Sequence, residues 1–111
     1  MKKKQFETEN HKGHTLLRLN LDKLDTQVSP QLKAEFLVVC QSPQKKLIVD
    51  MSSVKSCDSS GLSALLVAER LMRDLKGEIH LIVPSPEVRN LFKITQLEKV
   101  FSIHASPETV S

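Results

Sequence analysis

Hydroxyls and a carboxylate cluster in Ser56-Cys57-Asp58-Ser59-Ser60-Gly61-Leu62, a stretch lying between two apolar runs. Leu47-Ile48-Val49 before it reads as a buried strand, and Leu62 to Ala68 after it has the composition of a buried helix. A polar turn between a strand and a helix start points backbone N–H groups outward. The helix dipole there favours negative charge, phosphate included. Asp and Ser are also preferred helix caps, so Asp58-Ser59-Ser60-Gly61 makes a capping turn whatever else it does. Covalent modification of one of the two serines is the chemistry this turn could add.

Other chemistries find less support. A nucleophile elbow needs a glycine two positions before its serine, and Asp58 stands there relative to Ser60. His11 and His14 flank a turn without a carboxylate at ligand spacing, so they read as surface residues and no metal is expected. Gly13, Gly61 and Gly77 are too scattered for a phosphate-cradling glycine loop, and no cofactor is expected. Cys57 lies near a helix N-terminus that would stabilise a thiolate, but a small buried residue at a loop end is the simpler reading. Cys40 falls on an apolar helical face and reads as core.

The 111 residues suit one domain, and 40% apolar with 26% charged residues is ordinary globular composition. The formal charge of +3 comes from Lys2-Lys3-Lys4. The balanced remainder, without Trp or Tyr, argues against a nucleic-acid surface. No apolar run approaches the roughly 18 residues that span a bilayer, so no membrane insertion is expected. Gln5-Phe6-Glu7-Thr8-Glu9 stands where a signal peptide would be apolar. Two cysteines without motif spacing fit a reducing, cytoplasmic setting.

The elements that would position the turn follow from periodicity. Residues 5–10 form a weak edge strand, and His11-Lys12-Gly13 a hairpin turn. Leu17, Leu19 and Leu21 alternate as the inner face of a second strand, and Asp22 to Asp25 forms a loop. Ser29-Pro30 signals a capped helix start, with Leu32, Phe36, Val39 and Cys40 as its stripe and Ser42-Pro43 as its stop. Leu47 to Val49 suits a central strand covered on both faces. The second helix spans about 60–75 with Leu62, Leu65, Leu66, Met72 and Leu75 inward, and Gly77 terminates it. A strand over 78–83 follows, then a helix begun by Ser85-Pro86 with Val88, Leu91, Phe92 and Thr95 on one side, then a strand over 100–103. The expected fold is α/β: one small domain, a mixed and mostly parallel sheet of about five strands, three main helices chiefly on one face. Residues 1–13 form an N-terminal edge segment, 14–104 the domain body and 105–111 a tail.

Asp50-Met51-Ser52-Ser53-Val54 followed by Cys57-Asp58-Ser59-Ser60-Gly61-Leu62 resembles the signature of the STAS family, the anti-sigma factor antagonists. Leu24-Asp25, Gly77-Glu78 and Pro84-Ser85-Pro86-Glu87-Val88-Arg89-Asn90-Leu91-Phe92 extend the resemblance over residues 14–104. It implies a bacterial regulator without catalytic activity. Its partners would be a serine-protein-kinase anti-sigma factor, a GHKL-type ATPase, and a PP2C-type phosphatase. Ser60 matches the phosphorylated serine. Asp25 and Thr26, with Asp58, Ser59, Gly61, Leu62 and Ser63, match the partner-binding face. STAS-like chains also serve as accessory subunits of lipid-transport ATPases or signalling assemblies, the alternative role. The sequence departs from the family pattern at Asp22 and Gln96, where glycines are common, and at Ser56-Cys57, where an apolar pair is usual.

Overall fold

The alternation at Thr15, Leu17 and Leu19 becomes strand β2 (His14–Leu19), with these three residues buried on one face. In the computed structural model, which describes residues 5–11, 13–41 and 45–106, β1 (Phe6–His11) pairs antiparallel with β2. Gly13 connects them with φ of 77°, a conformation that favours glycine. Lys12, Ser42-Pro43 and the tail from 107 lie outside the described residues.

Beyond β2 come β3 (Lys23–Leu24), α1 (Ser29–Val39), β4 (Lys46–Asp50), β5 (Ser56–Cys57) and α2 (Ser59–Asp74). The order ends with β6 (Glu78–Ile82), α3 (Pro86–Ile94), a 3-10 turn at Leu97–Lys99, and β7 (Ser102–His104). The main sheet runs β1-β2-β4-β6-β7, and every neighbouring pair after the first is parallel. A helix links each parallel pair, because parallel strands need a long crossover. Where sequence suggested a loop over 22–25, β3 instead pairs with β5 in a separate two-stranded sheet.

One core joins the helices to a single sheet face, through Leu17, Leu19, Leu47, Val49 and Leu81 from the strands and Leu32, Phe36, Leu65, Met72, Val88 and Phe92 from the helices. Each fully buried side chain of this size stabilises the fold by about 1.5–3 kcal/mol. Cys40 belongs to this core, its Sγ 3.8 Å from Met72 Sδ. β4 is covered on one face rather than both, since Ile48 is only half-buried between buried Leu47 and Val49. Leu66 and Leu75 are exposed, and Ala64 and Ala68 take the inner positions of α2 because small residues let α1 approach closely. Thr95 points outward and donates its hydroxyl to Leu91 O at 2.8 Å. Helix α1 is apolar outside as well as inside: Leu37 and Val38 are 52% and 63% exposed.

The other sheet face carries the histidines. His11 and His14 stack with centroids 5.0 Å apart. His80 Nε2 lies 2.9 Å from Glu78 Oε1, and its Nδ1 lies 3.0 Å from His104 Nε2. The bond to His80 holds the Glu78 carboxyl below its usual range. His104 is lowered by burial first and then by the charges of His80 and Lys46.

Two helix ends use left-handed residues that are not glycine. Gly77 N–H reaches Met72 O at 2.8 Å and Lys76 N–H reaches Arg73 O at 3.0 Å, a Schellman end. The left-handed position is therefore Lys76 (φ 59°), one residue before the expected Gly77. Gln96, with φ of 62°, holds the turn between α3 and the 3-10 segment. Such a φ costs an L-residue about 1–2 kcal/mol, partly offset by the greater unfolded-state freedom of glycine. Lys76→Gly and Gln96→Gly should each stabilise the fold by about 0.5–1 kcal/mol, seen as a higher midpoint in urea denaturation. A lower midpoint for either would contradict this account of the two turns.

Candidate functional site

The strand-to-helix turn is built by one carboxylate oxygen. Asp58 is extended (φ −106°, ψ −174°) and caps α2. Its Oδ1 accepts from Ser60 N–H at 2.9 Å, Gly61 N–H at 3.1 Å and the Ser60 hydroxyl at 2.5 Å. Two otherwise unpaired N–H groups of the first turn are satisfied in this way. The Ser60 hydroxyl and then the Gly61 N–H hold the Asp58 carboxyl below its ordinary range, outweighing desolvation. A carboxylate lowered in this way stabilises the fold above its unfolded pKa. That contribution is lost as pH falls through the folded value.

The second component is the Asp25 loop. Asp25 Oδ1 accepts from Gln27 N–H at 3.1 Å, and Asp25 O accepts from Val28 and Ser29 N–H at 3.1 and 2.8 Å. The loop is clamped to the cap by β3–β5 pairing and by Asp58 N–H donating to Leu24 O at 3.1 Å. Gly61 makes this approach possible. A Cβ there would lie 2.6 Å from Leu24 O and 2.8 Å from both Cys57 Sγ and Leu24 Cγ. Asp58, Ser59, Ser63 and Thr26 are exposed, Asp25 and Ser60 half-buried, and Gly61 and Leu62 buried. The strand leading into the Asp25 loop therefore lies directly against the Asp58 cap, with Gly61 and Leu62 buried beneath.

Cys57 follows the simpler of its two readings: burial, then the Asp58 charge, push its thiol up to about 12, away from an activated thiolate. One sequence expectation is corrected. Ser29 does not cap α1, whose cap residue is Val28 without a side-chain bond. Ser29 lies in the first turn with Pro30, and its hydroxyl donates to Ser60 O of α2 at 2.8 Å. The Ser-Pro pair resembles a cap signal, and nothing in the spacing reveals a partner 31 residues away. Among the described residues no group of three or more His, Cys, Asp or Glu is placed to hold a metal ion, and no helix is long and apolar enough to cross a membrane.

The family model of the STAS domain matches residues 5–110. The chain is 27% identical over 101 residues to the anti-sigma F factor antagonist of Paenibacillus polymyxa, covering 90% of this chain and 86% of that protein. The crystal structure of an anti-sigma factor antagonist from Mycobacterium paratuberculosis aligns with a TM-score of 0.83 at 21% identity, over 93% of this chain and 86% of that one. The Bacillus cell fate determinant SpoIIAA in its phosphorylated form aligns with a TM-score of 0.70 at 24% identity, over 93% of each chain. At these identities the structural likeness speaks for the fold.

Gly61→Ala should destabilise the chain by about 3 kcal/mol, the upper part of the range for overpacking, because a backbone carbonyl stands in the way. Urea denaturation reads this directly, and a loss below about 0.5 kcal/mol would contradict the close approach. Ser60→Ala removes the bond that most lowers Asp58. Carboxyl-carbon NMR should then find Asp58 titrating at higher pH than in the parent, and an unchanged titration would refute that assignment.

Proposed function

This chain belongs to the STAS domain family, and we propose that it is a bacterial anti-sigma factor antagonist switched by phosphorylation of Ser60. In this reading it is a regulatory protein rather than an enzyme. Unmodified, it binds a GHKL-type serine-kinase anti-sigma factor in the cytoplasm; phosphorylated, it releases that partner until a PP2C-type phosphatase restores it. The docking face comprises Asp25, Thr26, Asp58, Ser59 and Ser63 around Ser60, supported from below by Gly61 and Leu62.

The observation that carries this reading is the Ser60 hydroxyl, in the first turn of α2, donating to Asp58 Oδ1 beside the Asp25 loop. Phosphate transfer exchanges the Oγ–H bond for Oγ–P while the bond from phosphorus to the ADP leaving oxygen breaks. The hydroxyl proton, now bonded to Asp58 Oδ1, is released to water. A donor thereby becomes an acceptor carrying about −1.5 to −2 charges. The new anion repels the Asp58 carboxylate and competes with it for the Ser60 and Gly61 N–H groups. The core lies beneath and does not depend on this hydroxyl, so the domain stays folded. An interface pressed onto the site would have to desolvate two adjacent anions. A hundredfold loss of affinity requires only about 2.8 kcal/mol of such a penalty.

The test is incubation with ATP and the GHKL-type serine kinase of the same genome, followed by mass-spectrometric mapping and partner titration. The expected results are phosphate on Ser60, no phosphate but retained binding for Ser60→Ala, and binding weakened at least about tenfold for Ser60→Asp. Phosphate only elsewhere, or undiminished binding by Ser60→Asp, would overturn the switch. Co-purification with a lipid-transport ATPase subunit in place of a kinase would favour the accessory-subunit role.

A further inference from the structure

Ser29 is 3% exposed, yet its two polar hydrogens are directed to two different parts of the site. Its hydroxyl donates across the helix pair to Ser60 O at 2.8 Å, and its N–H donates to Asp25 O at 2.8 Å. One buried residue thus joins the carbonyl of the candidate acceptor serine to the carbonyl that organises the Asp25 loop. The contact is separate from the Asp58 cap, which holds the N–H and hydroxyl of the same serine.

We propose that Ser29 is a positioning residue that couples the modification state of Ser60 to the conformation of the Asp25 loop. This rests on Ser60 being the acceptor in the reading above. A phosphate on Ser60 abolishes the hydroxyl bond to Asp58 and sets the two anions against each other for the same N–H groups, so the Ser60 peptide shifts. Out of water, the Ser29 hydroxyl has no solvent to exchange for its lost acceptor, and an unmade buried bond is costly. Ser29 therefore follows the Ser60 carbonyl, and its N–H carries the displacement to Asp25 O. Both halves of the docking face then change together, although the phosphate sits on one of them.

The coupling is tested by a double-mutant comparison on the whole chain. Phosphoserine is inserted at position 60 during translation, in the parent, in Ser29→Ala and in Ser29→Cys, the last keeping size while weakening the donor. Amide NMR shifts caused by the phosphate are then measured at Gln27, Val28 and Ser29 or its replacement. Gly61 and Leu62 report the local effect. In the parent, the loop amides should move. In both variants, loop movement should fall at least about threefold, the mark of energetic coupling rather than additivity, while Gly61 and Leu62 move as before. A merely structural role for Ser29 would change the starting shifts but not the response to phosphate. Equal loop movement in parent and variants, or an unmoved loop in the parent, overturns the proposal. Failure of the kinase to modify Ser60 defeats the functional reading and leaves this measurement unaffected. Intact phosphorylation with equal loop movement defeats the coupling alone.

Discussion

The carbonyl of Leu24 is the point on which the site turns. It accepts the Asp58 N–H at 3.1 Å and occupies the space that a side chain at position 61 would need. Because residue 61 has no Cβ, the backbone of β3 can lie directly against the first turn of α2. The two-residue pairing of β3 with β5 would be negligible alone. Seated on that contact, it fixes where the Asp25 loop stands relative to Asp58 and Ser60. Steric fit thus places two polar segments, 33 residues apart from Asp25 to Asp58, side by side on the surface.

Electrostatics then gives the surface its character. A helix N-terminus is often described as an open seat for an anion, but here the seat is taken. Asp58 already neutralises the exposed N–H groups and draws in the Ser60 hydroxyl. A second negative group at this spot meets a competitor instead of a vacancy. The same cap that stabilises α2 therefore makes the site sensitive to added charge, while the core under it, with Leu65, Leu81 and Phe36 fully buried, stays indifferent.

Much of this was legible in the sequence, for definable reasons. Strand alternation at Leu17 and Leu19, the strand at Leu47 and Val49, and the capping letters Asp58-Ser59 are local signals, and the structure follows them. What escaped was non-local or concerned close approach. The β3 and β5 strands are two residues each, too short for any period to show. Ala64 and Ala68 displaced Leu66 from the inner face because helix contact rewards small residues there, which a hydrophobicity stripe undervalues. Ser29 carried a correct helix-start signal and an unexpected bond. At Gln96 the turn holds a left-handed residue with a side chain attached.

The histidine strip on the far side of the sheet is anchored at one end. A carboxylate can only accept, so with Glu78 ionised His80 must present hydrogen at Nε2. The bond between His80 Nδ1 and His104 Nε2 has two possible directions: His104 donates when His80 carries one ring hydrogen, and His80 donates when it carries two. The carboxylate at the start of β6 therefore fixes one nitrogen of its neighbour, while the cross-strand bond to β7 reverses with a single hydrogen.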